Sequence, residues 1–173
     1  CSSDLSEYGV DFVNSNNNIA GTITPHHMLL TKDDVFKNEK INLYHYCMPV
    51  VKNEKDLLSL RKAACFDNNK FFLGTDSAPH HTKDKTKPES LKAGIFSSPC
   101  SLELYASIFD EENSLDSLEK FSSINGPEFY GLDINTEFLT LTKADLSVPE
   151  YTKEGNIRVK NFFAGKKINW KVS

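Results

Sequence analysis

Apolar residues recur along this chain at two different spacings, one helical and one extended, and the switches between them outline its elements. Between Ser3 and Val13, Leu5, Tyr8 and Phe12 fall at helical spacing behind a Ser3 cap, predicting a helix that Gly9 weakens. A polar connection, Asn14 to Asn18, leads to the β-branched run from Ile19 to Thr24, a strand that exits at Pro25. The run from Ile41 to Val51 reads as another extended stretch, after which Asn53 caps a helix carrying Leu57, Leu60 and Ala64 on one face. FFLGTD (71–76) then predicts a short buried strand, with Gly, Ser and Pro around Asp76 forming its exit loop. Further on, Ser98 and Pro99 read as the cap and first residue of a helix with Leu102, Tyr105, Ala106 and Phe109 inward. Leu115, Leu118 and Phe121 begin another.

Strands alternating with helices predict an α/β fold built from parallel βα units. The last part of the chain differs. Phe138 to Thr142 alternates, and Ile168, Trp170 and Val172 share one face of a strand whose other face carries Lys167, Asn169 and Lys171. Gly165-Lys166 supplies a turn, so a terminal hairpin packed outside the α/β body is expected. A (β/α) barrel takes about 250 residues. Two or three βα units are legible in this chain of 173 residues, which is the alternation of a part.

Composition narrows the function classes. At 39% hydrophobic, the chain can bury one sizeable core and reads as a soluble piece. A formal charge of −4, with lysines dispersed among more numerous acids, lacks the basic stripe that a phosphate backbone requires, so nucleic acid is not an expected partner. No run approaches the ~18 apolar residues of a membrane span, and CSSDLSEYG has neither a basic nor an apolar leader region, so no membrane and a cytoplasmic location are expected. Cys1, Cys47, Cys65 and Cys100 lie far apart without a C-x-x-C pair, predicting reduced, mostly buried thiols. The opening on Cys1 rather than Met suggests a fragment or a processed piece.

The chemistry concentrates in FFLGTDSAPHH (71–81). Asp76 follows a strand, the position from which barrel enzymes present catalytic groups, and a carboxylate there can hold a metal, take a proton, or both. The same residue could instead cap a turn through backbone N–H groups. His80, four residues on, is a candidate anion donor or an ordinary surface residue. His26 and His27 look like metal ligands, but neighbours on an extended chain point to opposite faces, so they read as structural or supporting residues. His45 and His81 are expected to face solvent or satisfy a backbone group. Cys47 is rejected as a nucleophile because no base accompanies it.

Four strings occur in an order that carries more than any one of them: TITPHH (22–27), YCMPVVK (46–52), FFLGTDSAPH (71–80) and AGIFSSPCSLELYA (93–106). With NGPEFYGL (125–132) and FFAGKKINWKV (162–172), they closely resemble dihydroorotases of the single-function bacterial type, within the amidohydrolase superfamily. The resemblance spans essentially the whole chain. It implies the carboxyl-terminal portion of a metal-dependent (β/α)8 TIM barrel, residues 1–132, with a terminal β-hairpin extension, residues 133–173. The implied reaction is the reversible cyclisation of N-carbamoyl-L-aspartate to L-dihydroorotate in pyrimidine biosynthesis.

The family's His-x-His pair, carbamylated lysine and two further histidines, which together hold two zinc ions, match no residue here. The chain resembles the family from just after its sixth-strand histidine. Asp76 resembles the remaining ligand, the eighth-strand aspartate that is also the general base. His80 resembles the histidine that grips the substrate carboxylate, Ala93 the position whose backbone N–H assists it, and Met48 a position that touches the pyrimidine ring through its backbone. A side-chain reading of Met48 would be core filler. The segment between Asp76 and Ala93 departs from the bacterial pattern. It is one residue longer, rich in lysine (Lys83, Lys85, Lys87, Lys92), and carries Ser90-Leu91-Lys92 where cysteines are common. Those lysines could steer a dianion, but a solvated mobile loop is the favoured reading.

Two other functions remain at this stage: a hydrolase of another cyclic amide, such as a hydantoinase or allantoinase, and a silent subunit that assembles with other enzymes. One carboxylate cannot hold two zinc ions, so the chain alone is expected to be inactive without the missing amino-terminal half. The resemblance also implies a homodimer.

Overall fold

The computed structural model describes residues 5–66, 68–87, 89 and 91–173. The first helix, α1 (Glu7–Ser15), begins one turn later than expected, because Ser6 caps it by accepting from the Gly9 amide; Ser3 and Cys1 lie outside the described residues. Strand β1 (Gly21–Ile23) follows, and Pro25 stands at the head of a 3-10 turn, His26–Met28. The predicted extended stretch from Ile41 to Val51 is not a strand. A short helix α2 (Lys32–Val35) leads into a two-residue ladder, β2 (Phe36–Lys37) with β3 (Lys40–Ile41), and the chain then leaves extended pairing. Asn42 is the reason: its side-chain oxygen accepts from the Tyr44 amide and closes a turn.

Helix α3 (Glu54–Cys65) carries the predicted Asn53 cap, completed into a capping box by Asp56, and buries Leu60, Ala63, Ala64 and Cys65. It delivers the chain to β4 (Phe71–Leu73), which pairs in parallel with β1 in the register Gly21 with Phe71 and Ile23 with Leu73. A short helix α4 (Thr82–Lys85) lies in the following segment. Ser98–Cys100 forms a 3-10 turn with Pro99 in its first positions, and α5 (Ser101–Glu111) continues it. Its buried face includes Leu104 and Ile108 beside the expected Tyr105, Ala106 and Phe109, whereas Leu102 is only partly covered. The helix expected from Leu115 is a 3-10 turn and then a π-helical turn, Lys120–Ile124, running into α6 (Asn125–Tyr130).

The terminal region forms the expected antiparallel pair, with an additional hairpin inserted between its two strands. β5 (Leu141–Ser147) pairs antiparallel with β8 (Lys167–Val172), and between them β6 (Tyr151–Glu154) and β7 (Ile157–Lys160) form their own hairpin around Gly155. Gly155 has φ +54 in the inner turn, and the expected turn at Gly165-Lys166 is also present, with Gly165 at φ +73 and Lys166 N donating to Phe163 O just before β8.

Helix α5 joins two apolar clusters. Tyr105, Ile108 and Phe109 pack with α1, α3, β1, β4 and Phe121, while Leu104 faces Cys47, Ile95, Val148, Phe162 and Ile168. Lysine and arginine side chains tie helix ends to this frame. The Lys70 ammonium donates to the carbonyls of Val13, Asn14 and Asn16 at the end of α1, and Arg61 donates to Met28 O while pairing with Glu111 and Glu112. Cys47, Cys65 and Cys100 are buried free thiols. Among the described residues no helix is long and apolar enough to cross a membrane.

Fully buried Tyr105 donates its hydroxyl to Ile23 O at 2.7 Å, fastening α5 to the carboxyl end of β1. Removing that donor leaves the carbonyl with only a longer contact to Gly74 N at 3.4 Å. Tyr105→Phe is therefore expected to cost about 1 kcal/mol in urea denaturation of the whole protein. An unchanged midpoint would show that the hydroxyl contributes nothing to stability.

Candidate functional site

Because β1 and β4 run parallel, their carboxyl ends emerge together, and the loops that follow them meet. Asp76 stands three residues beyond β4. Its backbone has φ +42, a region that side chains other than glycine enter at a cost, and such positions gather at functional sites. Its carboxylate has no hydrogen bond or ion pair among the described residues. Partial burial raises its pKa above the ordinary carboxylate value, which makes it a better proton acceptor than a free aspartate.

Residues on either side of Asp76 are held firmly. Ser77 Oγ accepts from the amides of Ser97 and Ser98 at 3.0 and 2.9 Å, so it caps the turn that starts α5. Ala78 N donates to Ile95 O, and Ser77 bridges Ile95 in parallel register. The SSP that reads as a helix start thus also anchors the loop carrying the carboxylate.

His80 and Ala93, predicted as partners on one anion, are brought together. His80 Nε2 lies 2.8 Å from Ala93 O, and since a carbonyl only accepts, that nitrogen carries the proton. Nδ1 has no partner among the described residues, which leaves that side of the ring open to a ligand. Gly94 makes the approach possible. A Cβ there would stand 2.5 Å from Ala78 Cβ and 2.8 Å from His80 Nε2, and φ is +138. Tyr46 O accepts from Gly94 N at 2.9 Å, which brings the segment containing Met48 to the same place. Met48 is 60% exposed, so its side chain is not core filler.

His26 and His27 depart from the extended-chain expectation. In the 3-10 turn their rings face one another with centroids 4.8 Å apart. With Cys47 they form a cluster of three residues of metal-ligating type, all ligand atoms within 4.8 Å. His27 has no free lone pair, however. Its Nε2 donates to Pro49 O at 2.9 Å and its Nδ1 contacts Thr24 Oγ1 at 2.7 Å, so the ring clamps the two loops. His26 is fully buried, with neither ring nitrogen hydrogen-bonded among the described residues. Burial pushes the Cys47 thiol up to about 11, and Sγ donates to Pro49 O, consistent with a packing role. His45 contacts Asn42 and Asp34 O, and His81 accepts from Lys83 N.

Comparison with known proteins places this geometry. The model of the amidohydrolase family matches residues 13–167. The chain belongs to the amidohydrolase family. Within the family it is 44% identical over 166 residues to a dihydroorotase of Erythrobacter litoralis and 45% identical over 166 residues to one of Shewanella pealeana. Each match covers 94% of this chain and 47% of the relative. Among solved structures, Saccharomyces cerevisiae dihydroorotase in complex with 5-fluoroorotic acid superposes with a TM-score of 0.88 at 31% identity, covering 97% of this chain and 49% of the other. An L-hydantoinase from Arthrobacter aurescens, at 17% identity and TM-score 0.76, shares the fold. This amidohydrolase chain spans about half the length of the relatives it matches. The expected part of an amidohydrolase TIM barrel is therefore the fold observed.

Members of the family are generally metal-dependent. Asp76 offers one oxygen-donor group, and it belongs to no cluster of three or more His, Cys, Asp or Glu ligands among the described residues. By itself that donor set does not fit a pair of zinc ions.

The paired histidines give a pH dependence. Burial first, and then the neighbouring His27, hold His26 down to about 3; burial outweighs the Pro49 hydrogen bond and holds His27 down to about 4. Both rings stay neutral in the folded protein while the unfolded chain takes up protons below about 6.5. Stability conferred by neutral rings is present above pH 6.5 and is lost as pH falls toward 4 and 3. Denaturation of the whole protein at pH 7 and at about pH 5 is expected to differ by about 2 kcal/mol per ring from this source. His26→Gln should remove roughly half of that difference. An identical dependence in the variant would contradict a neutral buried His26.

Proposed function

We propose that this chain forms the carboxyl-terminal part of a dihydroorotase active site, acting on N-carbamoyl-L-aspartate and L-dihydroorotate in pyrimidine biosynthesis. The observation that carries the reading is the unpartnered Asp76 carboxylate on a left-handed backbone beyond β4, in a loop that also brings His80 against Ala93. Identity of 42% or more to several dihydroorotases supports the same reaction.

In the hydrolytic direction Asp76 accepts the proton of the water that attacks the ring amide carbonyl. It then returns that proton to the departing nitrogen; cyclisation reverses both transfers. The His80 ring and the Ala93 N–H hold the substrate carboxylate. Backbone beside Met48 lies against the ring. Zinc is the metal of this reading, with Asp76 as one ligand. When bound, it supplies Lewis-acid activation of water and carbonyl. The other ligands, a carbamylated lysine among them, belong to the half of the family sequence that this chain does not span, so the chain alone is inactive. Phe129 and Tyr130 at the end of α6, and Leu132, Ile134, Phe138 and Leu139 on the stretch after it, are exposed apolar side chains that suit contact with that half. A homodimer in the cytoplasm is part of the same proposal, supported by the family likeness alone.

The test is an assay of L-dihydroorotate hydrolysis by the whole protein. Asp76→Ala is expected to lower kcat by about 10²-fold or more. His80→Ala should chiefly raise KM. Full activity of the Asp76 variant, or turnover of a hydantoin in place of dihydroorotate, would defeat the reading.

A further inference from the structure

Lys85 is the one lysine of the 81–92 segment that does not conform to a solvated loop. Lys83, Lys87 and Lys92 are exposed, but Lys85, at the end of α4, is 3% exposed. Its ammonium has no carboxylate partner among the described residues. Instead it donates to three backbone carbonyls, Gly94 O at 2.6 Å, Lys92 O at 2.7 Å and Tyr46 O at 3.2 Å. Three donors meet three acceptors, so the group is fully satisfied as a cation. Burial draws its pKa down to about 8, which still leaves it protonated at neutral pH.

The identity of those carbonyls gives the bonds a purpose. Lys92 and Gly94 flank Ala93, and Tyr46 precedes Met48 by two residues. Across the trans Lys92–Ala93 peptide the carbonyl and the N–H point in opposite directions. A cation that draws Lys92 O inward therefore turns the Ala93 N–H outward, and that N–H has no acceptor among the described residues. Ala93 O is meanwhile taken by His80. The ammonium also polarises the peptide it grips, which strengthens the N–H at its other end as a donor.

We infer that Lys85 is a positioning residue of the carboxylate pocket: by gathering the carbonyls of Tyr46, Lys92 and Gly94 it presents the Ala93 N–H, together with His80, to the substrate's carboxylate. This inference rests on the dihydroorotase reading. It assigns to Lys85 no contact with substrate and no part in proton transfer, so its loss should weaken binding and spare the chemical step.

The experiment is steady-state kinetics of the whole protein with Lys85→Ala, using L-dihydroorotate. KM is expected to rise about tenfold or more, with kcat changed less than about threefold. Ethylammonium, which can enter the vacated space and donate, should lower KM toward the wild-type value, whereas tetramethylammonium, which has no N–H, should not. Lys85→Gln, whose amide keeps two donors without charge, serves if the alanine variant does not fold, and its KM should also rise. An unchanged KM in whichever variant folds, a fall in kcat alone, or equal response to both ammonium ions would overturn the inference. An inactive wild type would overturn the functional reading and this inference with it. An active wild type whose variant keeps its KM would overturn only the role of Lys85.

Discussion

Parallel pairing of β1 with β4 is the constraint from which the rest of the site follows. Two short strands, three residues each, put Thr24 to Met28 and Gly74 to Ala78 side by side; Asp76 lies in the second exit, and the segments carrying Ala93 and Met48 are joined to it through the Ala78–Ile95 and Gly94–Tyr46 hydrogen bonds. The pair is short, so its position depends on what packs beneath it. Tyr105 reaches Ile23 O from α5, Phe109 and Phe121 fill the space below, and Gly74 lets the strand exits approach: a Cβ there would meet Thr22 Cβ at 2.6 Å. Helix α5 in turn is started by Ser77, one residue after Asp76. The support and the chemistry are thus built from one closed circuit of contacts.

Backbone carbonyls, rather than acidic side chains, recur as the partners of buried and half-buried polar groups. Lys70 takes three at the end of α1, Lys85 takes three around Ala93, His27 takes Pro49, and His80 takes Ala93. Lys70 and Lys85, satisfied this way, leave the carboxylate of Asp76 unneutralised. They also fix loops that have no ladder of their own. Around the site, a region of irregular backbone is held in one arrangement by a few side chains.

Local signals in the sequence were sufficient for part of this. Asn53 with Asp56, the apolar FFL before Asp76, and Ser-Pro before α5 each specify an element through neighbours within a few residues, and the structure has all three. The matched strings supplied the family, and with it the fold. What could not be read depends on distant partners. The β5 with β8 pairing spans an inserted hairpin, so nothing near Gly165 announces it. His26 and His27 looked extended because they follow the β-branched run that exits at Pro25, yet Pro25 opens a 3-10 turn that faces the rings together. Lys85 looked like its neighbours because lysine spacing says nothing about which ammonium finds three carbonyls. Asp76 was legible as a candidate, while its positive φ and its lack of a partner were not.

The central claim is that the loop after β4 presents a carboxylate for chemistry and an anion pocket for binding. Its most direct test is a structure of the whole protein with L-dihydroorotate bound. The account expects the ligand's carboxylate within hydrogen-bond distance of the His80 ring and the Ala93 N–H, with Asp76 beside the ring amide. A carboxylate bound elsewhere, with Asp76 turned away from the amide, would contradict it.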